Sequence, residues 1–191
     1  FNHMAAGLKE GHMMRRSLEL AMEVQRSLLP GRAPQVAGLD IAGRSLYCDE
    51  TGGDYYDFIQ PADRHRGTIG LVLGDVSGHG IPSALLMATA RAFIRQRSHW
   101  EGTLADIVQD VNRLLAHDVE DSSSFMTLFY LVLDRANQQL QWVRAGHDPA
   151  IIYDPQADRF DELMGEGIPL GVDADWTFTV NERNGLKEGQ I

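Results

Sequence analysis

The chain reads as an α+β domain in which sheet and helices occupy separate layers, and three observations lead there. A 43% hydrophobic content over 191 residues is enough for one domain with its own core. Two helical stretches sit in the middle of the chain, with strand-like blocks before and after them. Strands and helices do not alternate one by one, which sets aside a parallel doubly wound sheet.

The elements follow in order. From Met14 to Leu29, residues Leu18, Ala21, Met22, Gln25, Leu28 and Leu29 recur at three- and four-residue spacing and Pro30 closes the run, which predicts a helix. Leu20 and Val24 widen its apolar stripe, so contact on more than one side is expected. From Leu39 the pattern turns strand-like, with Ile41, Gly43 and Ser45 alternating against Ala42, Arg44 and Leu46. Thr68 to Leu73 reads as a buried strand. A second helix follows, with Pro82 in its first turn and Leu85, Ala88, Thr89, Ala92, Phe93 and Gln96 tracing the face expected to be buried. Thr103 and Asp106 have capping-box spacing at the head of a third helix, whose stripe is Leu104, Ile107, Val108, Val111, Leu114 and Leu115. Beyond Ser122–Ser124 come strands at 125–134, 139–145, 150–153 and 176–180, separated by turn residues such as Asp134 to Asn137 and Asp154-Pro155.

Composition excludes several functions. A formal charge of -10, with no basic stripe, argues against nucleic-acid binding, and an acidic protein that handles phosphate needs metal ions to offset repulsion. The single cysteine, Cys48, cannot form an internal disulfide. No stretch is long and apolar enough to span a membrane and no secretory segment is evident, so a cytoplasmic protein is expected. Phe1-Asn2-His3-Met4 and the second His-Met at 12–13 read as an expression-tag remnant or a disordered start, leaving 13–30 as a linker or switch helix and 31–191 as the domain proper.

Two stretches carry the chemistry: Gly52-Gly53-Asp54-Tyr55-Tyr56-Asp57-Phe58, and Gly74-Asp75-Val76-Ser77-Gly78-His79-Gly80. Each places a carboxylate beside glycines at a strand end, where a hard divalent cation finds oxygen ligands. Asp54, Asp75 and the carbonyl of Val76 are the candidate ligands. Either motif alone is ordinary turn chemistry. The glycine spacing at 74, 78 and 80 fits neither a nucleotide P-loop nor a dinucleotide fingerprint. Scattered histidines and one cysteine give a zinc site little support. Ser77 lacks the setting of a nucleophile elbow. His79 is a candidate proton donor whose simpler role is loop hydrogen bonding, and His147 reads as a turn residue between two strands.

Six segments, in order and spacing, resemble the SpoIIE/RsbU-type serine phosphatases, the bacterial branch of the PPM metal-dependent protein phosphatases. They are Gln25 to Pro30, Gly52 to Phe58, Gly74 to Met87, Phe125 to Tyr130, Ala145 to Pro149 and Gly167 to Gly171. The resemblance implies a four-layer α-β-β-α sandwich with two Mn²⁺ or Mg²⁺ ions between the sheets. Asp54 would bind one ion, Asp75 would bridge both, and Val76 would add its carbonyl. It also implies hydrolysis of phosphoserine or phosphothreonine by a metal-activated water, without a phosphoenzyme. The implied substrate is a phosphorylated STAS-domain anti-anti-sigma factor. The helix ending at Pro30 would join the domain to an upstream sensory or receiver module, or to a second copy in a homodimer. Asp148 and Ala150 stand where the family more often has Asn and Pro. The chain reaches Gly189-Gln190-Ile191 where the family enters the strand carrying a Tyr-Thr-Asp-Gly-like metal motif. Half of the ligand set is therefore present, and a fold lacking its C-terminal portion is expected. The rival reading is a catalytically impaired adaptor that binds a signalling protein without hydrolysis.

Overall fold

The computed structural model describes residues 2–46, 52–60 and 68–191, with side chains from residue 11 onward; Cys48 lies outside them. Its elements run α1 (Asn2–Leu28), β1 (Asp54–Ile59), β2 (Thr68–Val76), α2 (Ile81–Arg97), α3 (Leu104–Asp118), β3 (Met126–Asp134), β4 (Gln139–Ala145), β5 (Ala150–Asp154), β6 (Arg159–Leu163) and β7 (Asn181–Asn184). A five-stranded antiparallel sheet has the order β1-β2-β3-β4-β7, and β5 pairs β6 in a second sheet.

Strand alternation sorts side chains to the two faces of the large sheet. Tyr55, Val72, Leu128, Tyr130 and Val143 turn to one side and pack with Met87, Ile94, Val108 and Val111 of α2 and α3 in the main core. On the other side Phe129, Leu131, Leu140 and Trp142 meet Ile152 and Leu163 of the β5–β6 hairpin. The layers are therefore helices, large sheet and small sheet. Among the described residues no helix covers the outer face of β5–β6, so three of the four expected layers are seen.

Several sequence expectations are corrected. The first helix begins at Asn2, not Met14, so the segment expected to be disordered is helical over 2–12; Ala5, Ala6, Leu8, Lys9 and Glu10 are good helix formers that carry it through Gly7 and Gly11. Residues 39–46 belong to no strand. In α2 the buried residues are Ser83, Met87, Ala90 and Ile94, whereas Leu85 is 64% exposed. That helix is apolar on most sides, so its own pattern does not select the face that meets the sheet. In α3 the capping box forms as expected, with the Asp106 N–H donating to Thr103 Oγ1 at 3.2 Å and the Thr103 N–H to Asp106 Oδ2 at 2.8 Å. Leu114 faces outward, and buried Asn112 takes its place. Asn112 donates to the Asp173 carbonyl at 2.7 Å and accepts from the Gly171 N–H at 2.9 Å, pinning the loop at 171–173 to the helix. Residues 176–180 form no strand, although Phe178 is buried in the main core; β6 and β7 supply pairing that the pattern did not reveal.

One charged contact ties α2 to β1. The Asp57 side chain is fully buried and receives two hydrogen bonds from Arg95, both at 2.6 Å, a third from the Tyr55 hydroxyl at 2.8 Å, and one from the Phe58 N–H at 2.8 Å. Bonding to Asp57 raises the Arg95 pKa, while burial and the neighbouring Asp57 charge push the Tyr55 phenol far up, so it stays a donor. A bidentate pair of this kind costs much to break from one side, because the remaining charge is left buried. Arg95→Met is expected to lower the unfolding free energy by about 3 kcal/mol, measured by urea denaturation; a change below about 1 kcal/mol, the worth of an exposed pair, would contradict this account.

Candidate metal centre

Asp54 opens β1 and Asp75 lies one residue from the end of β2, and the antiparallel register sets them directly opposite one another. The Val76 N–H donates to the Gly53 carbonyl at 3.2 Å. Residues 53 and 76 thus hold a hydrogen-bonded position of the ladder, and 54 and 75 take the adjoining close one, with Cα atoms about 4.5 Å apart. Both carboxylates are exposed, on the face that looks toward the small sheet.

Gly53 makes this approach possible. A Cβ at that position would collide with the Val76 carbonyl oxygen, and with Val76 N and Cβ at 3.0 Å each. The absence of a side chain lets the loop before Asp54 lie against Val76, bringing two carboxylates and a carbonyl to one corner. Ser77 then fastens the end of β2 to the strand beyond. Its N–H donates to the Phe125 carbonyl at 2.9 Å, and its hydroxyl accepts from the Phe125 N–H at 3.0 Å. A hydroxyl so engaged is a structural tie, in keeping with the weak sequence case for a nucleophile. His79 lies exposed on the loop between β2 and α2.

The third strand adds what sequence reasoning missed. Thr127 is the register partner of Asp75 on β3, and its Oγ1 lies 2.8 Å from Nδ1 of His147. Gly146, with φ of 68°, turns the chain at the end of β4 and presses against Pro169, and the Arg144 guanidinium holds the His147 carbonyl. Leu170 pairs with Met126 through two backbone hydrogen bonds of 2.8 and 3.0 Å. The segments around 52–58, 74–80, 125–130, 145–149 and 167–171, far apart in sequence, meet at one end of the sheet. Which end of the sheet each reaches depends on pairing.

Electrostatics agree with a cation-seeking corner. The Asp75 carboxyl is held above the usual carboxylate range, first by burial and then by the Asp54 charge, with His147 acting against both. His147 is pushed down, chiefly by burial and also by Arg144, although Asp148, Asp75 and Asp54 oppose this. Two like charges opposed across a ladder repel unless a proton or a cation lies with them. The donor set is all oxygen, which suits Mg²⁺ or Mn²⁺. It is also small: among the described residues no group of three or more His, Cys, Asp or Glu side chains gathers to hold a metal.

Comparison with known proteins places the chain. The family model described as Stage II sporulation protein E (SpoIIE) matches residues 65–190. The phosphoserine phosphatase RsbU of Bacillus subtilis is 29% identical over 174 residues, covering 91% of this chain and 50% of the relative. The phosphoserine phosphatase RsbP of the same organism is 28% identical over 184 residues, covering 93% and 43%. The SiaA-PP2C domain of Pseudomonas aeruginosa superposes with a TM-score of 0.71 at 22% identity, over 95% of this chain and 70% of that one. The layered sheet with helices on one face is thus the fold of that PP2C domain. The chain belongs to the SpoIIE family. It spans half or less of the length of the two curated relatives.

Two outcomes follow from this geometry. Gly53→Ala is expected to loosen the β1–β2 corner, lowering stability by about 1–3 kcal/mol through overpacking, as read by urea denaturation. The raised Asp75 pKa also has a sign. The folded state binds this proton more tightly than the unfolded chain, so the contribution of Asp75 to metal-free stability falls as pH rises through the folded pKa and is regained on acidification. Metal-free Asp75→Asn should therefore melt above the parent at pH 7, with the gap closing near pH 4, measured by calorimetry.

Proposed function

We propose that this domain is a metal-dependent protein serine/threonine phosphatase acting on a phosphorylated signalling partner, a STAS-domain anti-anti-sigma factor. The observation that carries the reading is the cross-strand juxtaposition of Asp54 and Asp75 beside the Val76 carbonyl. An adaptor needs no opposed carboxylates, and their mutual repulsion would only weaken it. Family membership and the phosphoserine phosphatases RsbU and RsbP among its relatives support the same class of reaction.

Asp54, Asp75 and the Val76 carbonyl are the ligands this chain offers to Mn²⁺ or Mg²⁺. When bound, such ions acidify water for in-line attack on phosphorus and neutralise the phosphate oxygens. The residues themselves do the rest. Both carboxylates stand exposed at the rim of the sheet, so a phosphorylated side chain on another protein can reach them without entering a deep pocket. Gly53 and the register of β1 on β2 hold them in place before any ligand arrives, which removes reorganisation from the reaction. Thr127 and His147 wall the corner on the β3 side. Ser77 is committed to Phe125, so no covalent phosphoserine on this chain is called for.

The test is phosphate release from a serine-phosphorylated STAS-domain protein, with Mn²⁺ and after chelation. A metal centre lowers the barrier by several kcal/mol, so Asp75→Asn should reduce kcat/KM by at least about 100-fold. Equal rates for the two proteins would overturn the reading.

A further inference from the structure

The side chain of Gln25, in the last turns of α1, is buried with 4% exposure, while its neighbours Val24, at 62%, and Leu20, at 56%, face outward. Its amide is spent on one residue. Nε2 donates to the Gly52 carbonyl at 2.5 Å, and Oε1 accepts from the Gly52 N–H at 3.4 Å. Gln25 thus meets both backbone groups of Gly52, as a neighbouring strand would. The next residue, Gly53, is held by the Val76 N–H. Asp54 follows immediately.

A second tether lies just beyond. The Tyr56 hydroxyl donates to the Pro30 carbonyl at 2.9 Å, and between Gln25 and Pro30 the side chain of Leu29 enters the main core. The end of α1 therefore grips the chain on both sides of Asp54, at 52 and at 56. Val76 cannot set the position of Asp54 alone, because a glycine pair before a strand has wide conformational freedom unless its backbone groups are engaged. A buried amide that loses its partner is costly, so the Gln25–Gly52 contact has no cheap alternative.

We propose that Gln25 is a positioning residue for the metal ligand Asp54, acting through the backbone of Gly52. This rests on the metal-binding reading of Asp54.

The test compares the full chain with Gln25→Ala and Gln25→Met; the second keeps helix propensity and apolar packing but has no amide. Two readouts are followed by NMR: amide hydrogen exchange at Gly52 and Gly53 without metal, and Mn²⁺-induced broadening of the Asp54 and Asp75 signals. In both variants exchange at Gly52 should quicken at least tenfold. The Mn²⁺ concentration for half-broadening should rise about tenfold, while exchange in β3 and β4 stays as in the parent. A merely structural glutamine would lower the melting temperature and leave the Mn²⁺ response alone, and that result in Gln25→Met overturns the proposal. Failure of the metal reading is a different result: parent Asp54 and Asp75 signals indifferent to Mn²⁺, which removes the proposal together with its premise even if exchange at Gly52 changes.

Discussion

The close packing of Gly53 on the Val76 carbonyl is the constraint on which the acidic corner depends. It fixes where β1 begins against β2, and the register of that pair decides which face each side chain takes. Side chains alternate with a period of two, so a slip of one residue would carry Asp54 toward the helices and Asp57 toward the small sheet. The buried Asp57–Arg95 pair on one face and the exposed Asp54–Asp75 pair on the other are thus two results of one register.

Those two acidic sites show how environment sets the role of a carboxylate. Asp57 has four hydrogen bonds and a guanidinium, so its charge is satisfied by the fold and it joins helix to sheet. Asp75 faces another carboxylate, which together with partial burial raises its pKa, and His147 offsets this only in part. A fold that keeps a like-charge pair opposed at its rim retains a cost to stability that a proton or cation can relieve. This is the usual trade at a functional site, where local stability gives way to chemistry.

Buried side-chain amides recur as fasteners at this end of the molecule. Asn112 of α3 holds the loop at 171–173, and Gln25 of α1 holds Gly52, each by presenting a donor and an acceptor to backbone groups outside the strands. Loops rich in glycine need such external partners, since buried or half-buried backbone groups must be paired. The helices thereby determine how the loops at the rim of the sheet are held.

The sequence by itself determined the class of the fold, the capping of α3, the strands β2 to β5 and the two acidic motifs, because these rest on local periodicity and on turn chemistry that adjacent residues specify. Only the tertiary structure decided which face of α2 is buried, that residues 176–180 stay irregular while β6 and β7 pair, and that Thr127 and His147 stand beside Asp75. Each of these depends on partners tens of residues away. An apolar helix offers several equivalent faces, a short polar strand such as Asn181–Asn184 has no pattern of its own, and a cross-strand neighbour is defined by register, which a linear reading cannot supply.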